Sequence, residues 1–129
     1  MTSSGVRVTG LFLLGLLYFL SGLGKAGEWG ATVKFVGDTG LPFPALLVGC
    51  ATATELVFPV LLLFGKTRAL AAVVLALYSL AAATLFHDFW RADDEMQSQL
   101  IQFLKDVALA GALLYIAADT RERVRDWLP

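Results

Sequence analysis

PALLVGCATATELVFPVLLLF, residues Pro44–Phe64, is the stretch that decides the fold. It is close to the roughly 20 residues that a helix needs to cross the hydrocarbon of a bilayer. Its one charged side chain is Glu55. The apolar residues run on without alternation. That favours a helix over a barrel strand, because a helix satisfies every backbone group internally. Pro44 suits a first turn, where its missing N–H costs nothing.

Three further runs of this kind flank it. One extends from about Val8 to Leu23, through GLFLLGLLYFLSGLG. Another extends from about Ala69 to Phe86. The last extends from about Leu100 to Ala118, with a start near Asp93 or Asp94, whose carboxylates can cap a helix N-terminus. The first run also fits a cleaved signal peptide, with Arg7 as its basic region and SGLGKAG, Ser21–Gly27, as a weak cleavage site. Its apolar length and the three later spans favour retention as a helix. Composition agrees: 57% of residues are hydrophobic against 16% charged, far too little polarity to coat a soluble domain of this size. The expected fold is all-α, an integral membrane four-helix bundle forming a single domain over residues 1–129.

Between Lys25 and Pro42 lies EWGATVKFVGDTG, in which Trp29, Val33 and Val36 share one helical face. This segment predicts a short amphipathic helix on the outer membrane surface, with Trp29 as anchor. The loop charges orient the bundle. Arg7, Lys66, Arg68, Arg121, Arg123 and Arg125 fall on one side, against Lys25, Lys34 and Arg91 on the other. The positive-inside rule then puts both termini in the cytoplasm. RERVRDW, Arg121–Trp127, reads as an interfacial segment or a solvated tail.

A formal charge of −1 without a strong basic cluster argues against a nucleic-acid partner. One cysteine and one histidine give no closed metal site and no bis-histidine haem within one chain. No phosphate-cradling loop or nucleophile elbow occurs, so no catalytic residue is assigned. Cys50 lies well around its helix from Glu55 and reads as packing. Gly15, Gly22, Ala45, Gly49, Ala53, Ala108 and Ala112 read as small residues that let helices approach.

The chemistry rests on ionisable groups inside spans, where each costs about 2.5–3.5 kcal/mol at the centre on insertion scales. Glu55 sits near mid-span, about 15 Å from either end, with Thr52 a turn before it and Pro59 a turn after. Gln99, Gln102, Lys105 and Asp106 form a polar stripe on the fourth span, expected to face the bundle interior. Depth and stem length make a Glu55–Lys105 ion pair reasonable, with snorkelling of Lys105 to the headgroups as its rival. His87 ends the third span beside Asp88 and suits proton uptake near neutral pH. Tyr18, Ser21 and Lys25 share a face of the first helix. The candidate proton-relay or ligand-binding set is therefore Glu55, His87, Lys105, Asp106, Lys25 and Gln102, gathered in the outer half over an apolar inner half.

LSGLGK (Leu20–Lys25), GLPFP (Gly40–Pro44), Glu55, LLFGKTRALA (Leu62–Ala71), LFHDFW (Leu85–Trp90) and QFLKD (Gln102–Asp106) together resemble the DoxX family of small bacterial and archaeal membrane proteins. Relatives usually carry asparagine where this chain has Asp106. The resemblance implies four membrane helices in a prokaryotic inner membrane. It also implies a link to quinone-coupled sulfur oxidation or to complexes that handle oxidative and thiol stress. The leading expectation is an accessory subunit of a membrane redox system, with a quinone as the possible cofactor and a larger membrane complex or a homo-oligomer as partner. The rivals are a structural or assembly subunit and a small-molecule or proton-coupled carrier. The carrier is weakened by the missing inverted repeat.

Overall fold

The computed structural model describes residues 2–91 and 94–127, and these form five α-helices and one 3-10 turn, with no strand among them. The helices are α1 (Ser3–Gly27), α2 (Trp29–Asp38), α3 (Pro44–Leu61), α4 (Gly65–Phe86) and α5 (Met96–Trp127), with the 3-10 turn at Phe89–Arg91. All but α2 are long and apolar enough to cross a membrane. Large apolar side chains stand exposed on each of them, including Leu13, Leu46, Leu77 and Leu114. Such surfaces are stable when hydrocarbon covers them. The chain divides into two compact units, Met1–Phe64 and Gly65–Pro129.

In the first unit, the Thr2 hydroxyl accepts from the Gly5 amide at 3.1 Å and caps α1. The buried residues of α1 are Leu11, Gly15, Tyr18 and Gly22; those of α3 are Val48, Thr52, Glu55 and Pro59. Both sets repeat at four, three and four residues, the signature of one helix face. The two helices pack antiparallel. A Cβ on Gly15 would lie 3.4 Å from that of Pro59, and one on Gly22 would lie 2.9 Å from the Leu56 side chain and 3.0 Å from the Glu55 Cβ. Lipid gives helices no hydrophobic reason to associate, so this close approach carries the contact. Beside the seam runs an apolar furrow of about 200 Å³, walled by Phe12, Gly15, Phe19, Pro59 and Leu63.

The loop segment Trp29–Asp38 is a helix, as its apolar face predicts. That face packs on α3: Val36 is buried, and the Trp29 ring lies 3.6 Å from where a Cβ on Gly49 would sit. Pro44 occupies the first turn of α3 as expected, entered through Gly40 at φ 89° and Phe43 at φ 51°. Glycine tolerates the left-handed region, whereas Phe43 carries strain there.

The second unit is the α4–α5 hairpin. Ala71, Ala72, Leu75, Ala76, Ser79 and Ala83 are buried on α4, and Ala110, Leu113, Ala117 and Thr120 on α5. Three boundaries of this unit differ from the sequence expectation. Helix α4 begins at Gly65 rather than near Ala69, taking Lys66 and Arg68 into its first turn. Helix α5 begins at Met96, while Asp93 lies outside the described residues. It continues without a break to Trp127, past the Ala118 expected for the span's end, so RERVRDW is part of this helix. Its 32 residues span about 48 Å, well beyond the roughly 30 Å of hydrocarbon. An Arg123–Asp119 ion pair at 2.9 Å, one turn apart, supports its last turns.

Four of the small residues expected at helix contacts, Ala45, Ala53, Ala108 and Ala112, are instead exposed, as is Cys50. A small side chain permits close approach but does not say which face is approached. The alanines of α4 and the glycines of α1 take that part.

Candidate functional site

Polar side chains gather in two places, one in each unit. In the first, Glu55 is 1% exposed on the middle of α3. The Lys25 ammonium reaches it from the last turn of α1, with Nζ 2.6 Å from Oε1. Lys25 also donates to the Ser21 hydroxyl one turn earlier, at 2.9 Å. The cation that meets Glu55 is thus Lys25, where depth alone favours Lys105. Gly22 explains the difference, because its missing side chain lets α3 come close enough for Lys25 to reach over the carboxylate. Thr52, on the same face as Glu55, donates to the Val48 carbonyl at 2.7 Å and is satisfied locally. The arrangement is a carboxylate taken out of contact with the surroundings and covered by a cation that is still 27% exposed.

In the second unit, the backbone leaves α4 at His87, whose amide donates to the Ala83 carbonyl at 3.1 Å. The imidazole turns toward α5, where Nδ1 lies 2.9 Å from Gln99 Oε1 and Nε2 lies 3.8 Å from Asp106 Oδ2. With the Gln99 oxygen accepting, Nδ1 carries the proton of the neutral ring, and Nε2 is the basic nitrogen facing the carboxylate. Gln99 and Asp106 are two turns apart, and Phe103 lies between them on the same face. Its ring meets Phe89 edge-on with centroids 5.4 Å apart and Trp90 at 5.9 Å. Phe89 and Trp90 also meet edge-on at 5.3 Å. This trio folds the 3-10 turn onto α5 and fixes the segment that carries His87.

The expected stripe on α5 therefore divides. Gln99 and Asp106 turn toward His87, whereas Gln102 and Lys105 are exposed on the flank. Of the six candidates, Lys25 and Glu55 meet in one unit, and His87 and Asp106 in the other. Sequence reasoning missed Phe103 and the two aromatics it holds. The signal was present in the text, since LFHDFW and QFLKD are the segments that meet. Among the described residues, no three histidine, cysteine, aspartate or glutamate side chains gather as a metal-ligand set.

These features define a helical membrane protein with four spanning helices and two polar clusters attached to span ends and interiors. The chain belongs to the DoxX family, whose model matches residues 11–88. That stretch contains Lys25, Glu55 and His87, while Gln99, Gln102, Lys105 and Asp106 follow it. The chain is also similar to the inner membrane protein YphA of Escherichia coli (strain K12), with 29% identity over 103 residues, covering 79% of this chain and 74% of the relative. No solved structure matches it.

Proposed function

We propose that this chain is an accessory subunit of an inner-membrane redox system, quinone- or thiol-linked, that handles protons or holds a ligand while a partner carries the electrons. The observation that carries the reading is His87, held between Gln99 and Asp106 beside three aromatic rings. A quinone supplies two-electron, two-proton chemistry when bound, and it needs a donor to its carbonyl oxygen and a base for the proton of its reduced form. The residues present fit those needs. His87 donates or accepts at Nε2, Asp106 stabilises the proton that arrives there, and Phe89, Trp90 and Phe103 offer faces and edges for a flat ring.

The loop charges support a chain with both termini in the cytoplasm. The name of the Escherichia coli relative supports the inner membrane as its location. A second reading, a structural or assembly subunit, is favoured by Glu55 and Lys25. A buried ion pair fixes how two helices meet whether or not it takes part in chemistry.

Gentle detergent extraction, followed by identification of copurifying proteins and quinones, tests the reading. Binding of a short-chain quinone that is lost in His87→Gln, with a redox enzyme copurifying, supports it. Wild-type protein that binds no quinone and copurifies with a complex lacking any redox cofactor would leave the structural reading in its place.

A further inference from the structure

Glu95, Ser98, Gln102 and Lys105 follow one another at three, four and three residues, which keeps them on one side of the start of α5. All four are exposed. Beside them stand Ile101, Leu104 and Val107, also exposed and apolar. The polar stripe therefore looks out among side chains that hydrocarbon covers, on a helix long enough to span the bilayer. Among the described residues of this unit no carboxylate lies within ion-pair distance of the Lys105 ammonium.

The order of charge along the stripe is informative. Lys105 lies deepest, about 15 Å along the axis from Glu95 at 1.5 Å per residue. Helical side chains lean toward the N-terminus, so the lysine stem carries its ammonium up toward Gln102 and the membrane surface. Gln102 and Ser98 add neutral donors above it. At the edge, Glu95 and its exposed neighbour Asp94 supply negative charge.

We propose that this stripe binds the head group of an ethanolamine phospholipid. The phosphate sits against Lys105 and Gln102, and the ammonium above it faces Glu95 and Asp94. A zwitterionic head group presents its charges in that order, with the phosphate nearer the hydrocarbon than the amine. An anionic glycerol head group gains the lysine contact but meets the two carboxylates without a cation of its own. A choline head group has no N–H to donate to them. The assignment is independent of His87 and of the redox reading.

Native mass spectrometry of the detergent-solubilised protein, offered ethanolamine, choline and glycerol phospholipids of identical acyl chains, tests it. The ethanolamine lipid should be retained most. Lys105→Met should weaken its retention by about tenfold, the size of one lost charge-assisted hydrogen bond. Lys105→Arg should preserve it. Glu95→Gln should shift the preference toward the glycerol lipid. Both positions are exposed, and unchanged circular dichroism will verify that the variants fold. Equal retention of the three lipids, a wild-type preference for the glycerol lipid, or a Lys105→Met variant with unchanged retention would each overturn the proposal. A Lys105→Met variant that changes oligomeric state and not lipid retention would assign the stripe to a second copy of the chain.

Discussion

The Lys25 ammonium lies 2.6 Å from Oε1 of Glu55, so the last turn of α1 is tied by charge to the middle of α3. The two partners are unequal. The carboxylate side chain is 2% exposed and the lysine 27%. Each therefore has a different state to fall back on when the other is removed. Without Glu55, Lys25 can turn outward, whereas without Lys25 the carboxylate stays where it is buried.

That asymmetry makes Lys25→Met the more damaging change. Breaking a buried pair costs about 3–5 kcal/mol, and the partial exposure of Lys25 places this one near the lower end. Glu55→Gln should cost less, and Lys25→Met with Glu55→Leu should recover much of the loss. Unfolding in mixed detergent, followed by circular dichroism, measures all three. Additive single effects would mean that the two residues do not support each other.

Gly22 is the second place where α1 and α3 depend on each other. A Cβ there meets the Leu56 side chain, which can move, and the Glu55 Cβ, which is fixed to the backbone. Gly22→Val should lower stability by about 1–3 kcal/mol through overpacking. Gly24 has nothing within 4 Å of an added Cβ, so Gly24→Ala should be neutral or slightly stabilising. Thermal melts of the two variants in the same detergent compare them directly. A Gly22→Val protein as stable as wild type would show that α3 can retreat, and that the approach seen here is not needed.

The spans, the α2 helix and the proline start of α3 are legible in the sequence because length, face and cap are local properties. Neighbours are not local. Lys25 and Lys105 are both cations in or near spans, and only the Gly15–Gly22 face of α1, which admits α3, selects Lys25. The polar stripe of α5 is wider than the face that meets α4, so Gln99 and Asp106 turn inward while Gln102 and Lys105 stay on the flank. Phe103 reads as one more apolar residue in a span until its contacts with Phe89 and Trp90 are seen. Cys50 and Ala53 read as packing residues by size, yet both lie on the exposed side of α3.

Orientation is open to a direct test. A reporter active only in the cytoplasm should give signal when fused at Pro129 and none when fused after Asp38. The basis is the distribution of Arg7, Lys66, Arg68 and the arginines after Ala118 against the sparser charge of the other loops. The reverse result would turn the whole chain over and put the His87 segment on the cytoplasmic side.

Phe103 offers the test that separates support of His87 from chemistry at His87. Its ring is half-buried and meets both Phe89 and Trp90. Phe103→Ala should cost about 2–3 kcal/mol, somewhat less than the 3–5 kcal/mol of a fully enclosed phenylalanine. Ile101, two residues earlier on the exposed side, should tolerate alanine with a change of about 0.5 kcal/mol or less. If the aromatic trio holds His87 against Gln99 and Asp106, Phe103→Ala should also weaken short-chain quinone binding, and Ile101→Ala should not. Phe103→Leu refines the comparison: it keeps bulk on α5 but removes the ring edges, so stability should largely return while binding recovers only in part. Equal binding by wild type and Phe103→Ala, with the stability loss as expected, would show that the trio supports the fold alone. In that case His87 would have to be positioned by Gln99, Asp106 and its own backbone.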